Sequence, residues 1–124
     1  MVEKNKEMAV NFLKQASSGD VQAAYSTFVG TRFKHHNPFF EGTAAALSAG
    51  MEENARQNPG KNIEIKRVVG EGDLVAVHSQ VRLKPEDVGA AVVHIFRFEN
   101  DRIVELWDVG QPVPKESPNQ YGMF

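Results

Sequence analysis

Cysteine is absent from the 124-residue sequence. That removes disulfide bonds, a thiolate nucleophile and cysteine-held zinc from consideration. Long apolar runs are missing as well. The longest, such as "LVAV" and "AAVVHIF", fall far short of the roughly 20 residues a helix needs to cross a bilayer. The charged N-terminal stretch "MVEKNKEM" is not followed by the apolar core of a secretory leader. No membrane partner is expected, and a cytoplasmic location is the default. An excess of charge of one sign is also lacking: 14 Lys and Arg stand against 16 Asp and Glu, a net charge of −2. The charges are scattered along the chain and form no field that would hold a phosphate backbone, so nucleic acid is not an expected partner. There is no G-x-S-x-G elbow and no phosphate-cradling glycine loop, since "GEG" before Asp73 reads as a turn between strands.

What remains is a chain with 41% hydrophobic residues, enough for one core, so residues 1–124 are expected to form a single domain. From Asn5 to Ser18 the apolar residues Met8, Ala9, Phe12, Leu13 and Ala16 recur at helical spacing, and Gly19 follows as a stop. Asp20 is placed to cap a second helix carrying Val21, Ala24, Tyr25 and Phe28 on one stripe up to Gly30. A short extended piece, Thr31 to Asn37, runs into Pro38. Thr43 then opens a third helix through about Gln57, which "NPG" ends. The apolar period next shortens to two, marking strands at Ile63–Val69, Leu74–Leu83, Ala91–Glu99 and Arg102–Val109. "ND" between the last two has the composition of a tight hairpin without its usual glycine. Gln111 to Phe124 reads as a tail. Helices followed by antiparallel strands make an α+β domain, with the helices on one face of a curved sheet and a hollow for a small molecule between them.

Pairing the last hairpin about Asn100 and Asp101 sets Phe98 opposite Ile103, Phe96 opposite Glu105 and His94 opposite Trp107. Strict alternation then sends Asp108 to the other face, and it shares a pocket with His94 only if a bulge re-aims the strand. A carboxylate and a histidine together in an apolar site could move a proton at neutral pH. His35 and His36, in "HHNPFFEG", point to opposite faces, so at most one of them enters the hollow. His78 shares the less apolar face of its strand with Ala76 and Gln80, as a pocket wall or an interface residue. His36, His78 and His94 lack the short spacing of a readable metal site, and no metal is expected.

The succession "FKHHNPFFEG", "LVAVHSQ", "VVHIFRFENDRIVELWDVGQPVP" and "SPNQYGMF" resembles the SnoaL-like branch of the nuclear-transport-factor-2-like superfamily, the polyketide-cyclase relatives. The resemblance covers nearly the whole chain. It implies a cone of N-terminal helices on a curved, mainly antiparallel sheet enclosing a pocket, and a homodimer through the sheet. It matches His36, Asn37 and Pro38 to the family's histidine-asparagine-proline turn, and Trp107 with Asp108 to its tryptophan-aspartate pair. In the cyclases an aspartate at about the position of Asp108 is the acid/base. Two positions depart from the pattern: His94 stands where aspartate is common, and Leu106 where histidine precedes the tryptophan.

The function implied is cofactor-free acid/base chemistry on a small carbonyl or polyketide-like compound, of the aldol-cyclase or isomerase type. Asp108, His94 and His36 are the expected catalytic residues. Asn37, Trp107, Phe40, Tyr25 and His78 are expected around the substrate. The alternatives are a non-catalytic module that binds a small apolar ligand or dimerises, which Leu106 favours, and an epoxide-hydrolase-like enzyme using Arg97 with Asp108. The dimer face is expected to carry Val75, Val77, Val93 and Ile95.

Overall fold

The computed structural model describes residues 1–124. Three helices, α1 (Val2–Ser17), α2 (Val21–Phe28) and α3 (Ala44–Gln57), accompany five strands. The strands are β1 (Val29–His35), β2 (Asn62–Glu71), β3 (Leu74–Arg82), β4 (Ala90–Glu99) and β5 (Arg102–Pro112). They form one sheet in the order β1-β5-β4-β3-β2. β2 to β5 are antiparallel neighbours, while β1 lies parallel to β5, so the sheet is mixed and the extended piece before Pro38 is its edge strand.

α1 forms where the apolar spacing places it and turns Ala9, Phe12, Leu13 and Ala16 inward. Gly19, at φ +98°, takes the left-handed conformation that ends it. Thr43 caps α3 by accepting a hydrogen bond from the Ala46 N–H at 3.1 Å. Asp20 occupies the N-cap of α2 without a side-chain cap bond, because its carboxylate instead accepts from Gln15 Nε2 at 2.9 Å. The core closes around Phe12, whose ring meets Tyr25, Phe28 and Phe96 edge-on at 5.3, 6.5 and 6.0 Å. Truncating such a phenylalanine to alanine costs about 3–5 kcal/mol.

Asn100 and Asp101 both adopt positive φ, 50° and 61°, so the hairpin is a two-residue turn of the twist-matched kind even without glycine. The ladder then departs from simple alternation. Phe98 pairs with Ile103, but Arg97 pairs with Glu105, leaving Val104 as one extra residue. The bulge falls within four consecutive buried residues, Ile103 to Leu106. Beyond this bulge every β5 residue changes face relative to the unbulged reading. Val75 and Val77 are fully buried against the helices, opposite Phe96 and His94, so only Val93 and Ile95 of the four expected dimer-face residues lie on the outer face.

Candidate active site

Between α1, α3 and the inner face of the sheet lies a cavity of about 330 Å³. Its apolar lining comes from Phe12 and Leu13 of α1, Leu47 and Met51 of α3, Val81 and Leu106 of the sheet, and Leu83 just after β3. Five polar side chains converge on it: Asn37, Asn54, Lys61, His94 and Asp108.

The bulge at Val104 decides that convergence. It places Asp108, rather than Trp107, directly opposite His94. Facing antiparallel partners have Cβ atoms about 5 Å apart, so the carboxylate and the imidazole occupy one wall. His94 is enclosed, and what surface it keeps faces the cavity; its Nδ1 is buried with no hydrogen-bond partner. Burial pushes the His94 pKa down to about 4, against the pull of Asp108 and helped by Lys61. The ring is therefore neutral at pH 7, able to donate one hydrogen bond and accept another.

Asp108 is held from the turn after β1. Asn37 Nδ2 donates to Asp108 Oδ2 at 3.1 Å, while Asn37 Oδ1 accepts from the Phe39 N–H at 2.9 Å. Those two bonds fix which way the amide faces. His35 in turn fixes Asn37: its Nδ1 accepts from the Asn37 N–H at 3.1 Å, and its Nε2 donates to the Glu41 carbonyl at 2.5 Å. An N–H can only donate and a carbonyl can only accept, so the two bonds together define His35 as the neutral Nε2–H tautomer. Phe40 reaches over α3 at Gly50, where a Cβ would collide with the phenylalanine ring. This close approach seats the aromatic lip of the cavity.

Several expected site residues lie elsewhere. Phe33 and His35 are the buried residues of β1, so His36 points to the outer face instead of into the cavity. There it stacks on Trp107 at 4.9 Å and 6° and donates to Glu105 Oε2 at 2.6 Å. That bond, together with Arg97 Nε at 2.9 Å, holds the Glu105 carboxyl below its ordinary range. Trp107 accordingly does not wall the cavity. Tyr25 sits one layer behind it, its hydroxyl donating to the Met51 sulfur at 3.1 Å, and burial first and then Asp108 push its pKa up. His78 is on the outer face, bonded to Arg67 and stacked with Phe124 at 5.6 Å. With two of the three on the outer face, His36, His78 and His94 do not converge. Arg97 lies opposite Glu105 on the outer face and binds Glu99 and Glu105, so it forms no pair with the inward Asp108.

Lys61 and Asn54 were not among the expected site residues. Lys61 Nζ donates to Asn54 Oδ1 at 2.8 Å, and burial lowers the lysine pKa. Nothing local marks Lys61 out, because a lysine in "NPGKN" reads as a solvated loop charge. Asn54 has a helical signal, since it falls three and seven residues after Met51 and Leu47 on the inner stripe of α3.

Comparison with solved structures agrees on the architecture. AclR from Streptomyces galilaeus, a proposed hydroxylase, superimposes with a TM-score of 0.74 at 20% identity, over 90% of this chain and 91% of that one. A proposed polyketide cyclase from Acidithiobacillus ferrooxidans gives 0.72 at 17% identity, over 87% and 88%. An NTF2-like protein of unknown function from Cytophaga hutchinsonii gives 0.70 at 14% identity, over 87% and 90%. At these identities the likeness is one of fold, the NTF2-like α+β cone. No curated protein matches the chain in sequence. A family model described as the SnoaL-like domain matches residues 9–106, ending just short of Trp107 and Asp108. With most of its length covered by that model and its cone built to the same plan, the chain belongs to the SnoaL-like domain family.

Proposed function

We propose that the cavity carries out acid/base chemistry on a small carbonyl compound, with Asp108 as the base and His94 as the neutral partner of the developing enolate. The observation that supports this reading is the bulge at Val104, which brings His94 and Asp108 face to face on one apolar cavity. Asp108 takes the proton from the carbon α to a carbonyl. The C–H electrons move into the new C–C double bond, and the carbonyl electrons move onto oxygen. The His94 N–H donates to that oxygen as its charge grows, a stabilisation strongest in a site from which water is excluded. The enolate carbon then attacks a second carbonyl of the same molecule, whose oxygen takes the proton from Asp108 as in an aldol closure, or, in a conjugated substrate, Asp108 returns the proton to a different carbon of the extended enolate while the carbonyl re-forms, as in an isomerisation. Asn37 holds Oδ2 of Asp108, leaving Oδ1 for the proton. No cofactor enters this scheme, and two copies of the chain are proposed to pair through the outer sheet face around Ala91, Val93 and Val109.

Asp108→Asn keeps the shape of the carboxylate and removes its proton affinity. Against a panel of ketones and diketones, its turnover should fall on the order of a hundredfold with binding retained. Equal turnover by variant and parent sinks the assignment. A second reading, ligand binding without turnover, has Leu106 in its favour, because that side chain lines the cavity as an apolar surface and moves no proton. It predicts that the parent binds the same compounds and converts none of them.

A further inference from the structure

The cavity holds a cation that this chemistry does not use. Lys61 stands just before β2 and lines the cavity beside Asn54. Lys4, Lys6, Lys34 and Lys66 each have a carboxylate within 4.0 Å. Of the other four lysines, Lys14, Lys84 and Lys115 are exposed and Lys61 alone is drawn back from solvent. Its one side-chain partner is a neutral amide oxygen, Asn54 Oδ1 at 2.8 Å. A partly desolvated ammonium compensated only by an amide has capacity for an anion. The polar groups of the cavity also divide by element. Asn37 and Asp108 are joined where the β1 turn meets β5, Asn54 and Lys61 are joined where α3 meets the start of β2, and His94 feels both charges.

We propose that Lys61, steadied by Asn54, is an anion subsite, and that the natural substrate is a carbonyl compound bearing a carboxylate. This rests on the acid/base reading for its orientation. The carboxylate at Lys61 directs the carbonyl towards His94 and the acidic carbon towards Asp108. The reverse pose would set two carboxylates together and leave Lys61 unmatched, so like-charge repulsion selects one pose. Lys61 is in this sense a specificity-determining residue, and proton transfer stays with Asp108.

The probes are 4-oxo-4-phenylbutanoate and its primary amide, nearly equal in shape and different in charge, titrated calorimetrically into the full chain at pH 7 and low salt. The parent should bind the acid about tenfold more tightly than the amide, the ratio that about 1.4 kcal/mol represents. Lys61→Met should erase that preference by weakening the acid far more than the amide, and Lys61→Arg should restore most of it, with circular dichroism checking that both variants fold. Equal binding of acid and amide by the parent, a preference that survives in Lys61→Met, or failure of the acid to bind at millimolar concentration each overturns the subsite. Turnover of Asp108→Asn reports on the acid/base reading separately. A charge preference without turnover keeps the subsite and removes the enzyme; turnover without a charge preference does the reverse.

Discussion

Acid should weaken this protein through His94 before it titrates most carboxylates. The ring has a pKa of about 4 in the folded chain against 6.5 for the free side chain, because it is enclosed by the sheet and the cavity wall. Above pH 6.5 neither state binds the proton and stability is complete. Between pH 6.5 and about 4 the unfolded chain binds a proton that the folded chain refuses, so stability falls as the pH falls. Below about 4 both states are protonated and the loss levels off. At 1.36 kcal/mol per pH unit, the difference between 6.5 and about 4 amounts to about 3 kcal/mol, a large share of the 5–15 kcal/mol typical of a domain.

The assay is urea unfolding at intervals from pH 7.5 to 4, for the parent and for His94→Gln, which keeps a polar side chain but does not titrate. Glu64, Asp101 and Glu105 also have lowered pKa values, each first through a hydrogen bond from a basic partner. Their contributions are lost at the acid end of the range and are common to both proteins, so the parent-minus-variant difference isolates the histidine. It should decline by about 3 kcal/mol across the window. A proton NMR titration should find the His94 imidazole neutral down to about pH 4. A His94 resonance titrating near 6.5, or equal acid sensitivity in both proteins, would refute the reasoning and with it the neutral role given to His94 in the chemistry.

The two adjacent histidines should separate cleanly. His35→Ala takes away a buried ring that accepts from the Asn37 N–H and donates to the Glu41 carbonyl, so it should cost about 2–3 kcal/mol in urea unfolding. His36→Ala removes a half-exposed pair with Glu105 and should stay within about 1 kcal/mol. The opposite order would mean that β1 turns its other face inward. Gly50→Ala introduces a methyl group against the Phe40 ring, whose far edge can swing away, while the helix gains up to about 1 kcal/mol from the alanine. Thermal melting should hold or rise while affinity for an aromatic ketone changes; unaltered affinity would remove Phe40 from the cavity lip.

The helices and hairpins were legible because their causes are local. Phe12, Leu13 and Ala16 repeat at the helical period and form the buried face of α1, Thr43 caps α3 with its own hydroxyl, and Asn100 with Asp101 turns the last hairpin. The parallel pairing of β1 with β5 was not legible, because it joins residues about seventy positions apart and no turn signals it. Lys61 was hidden for a related reason. It follows the loop residues Asn58 to Gly60 and precedes β2, and its partner Asn54 comes from α3, on the far side of that loop.

The site depended on parity, and parity fails wherever one extra residue enters a strand. Alternation over "RIVELWDV" pairs His94 with Trp107, and the bulge at Val104 exchanges Trp107 for Asp108. A run of hydrophobic residues interrupted by one glutamate offers no warning of this, because Glu105 is buried by Arg97 and His36 on the outer face rather than pointing into solvent. β1 did carry a readable clue. Phe33 is the one large apolar residue between Thr31 and Asn37, and a strand that turns Phe33 inward must also turn His35 inward and His36 outward. The two corrections are coupled. His36 and Trp107 leave the cavity together and stack on each other outside, while His35 and Asp108 enter the inner layer and are linked through Asn37. A resemblance aligns positions and is indifferent to which face they occupy. Asn37 and Asp108 therefore line the cavity, and His36, aligned with equal ease, does not.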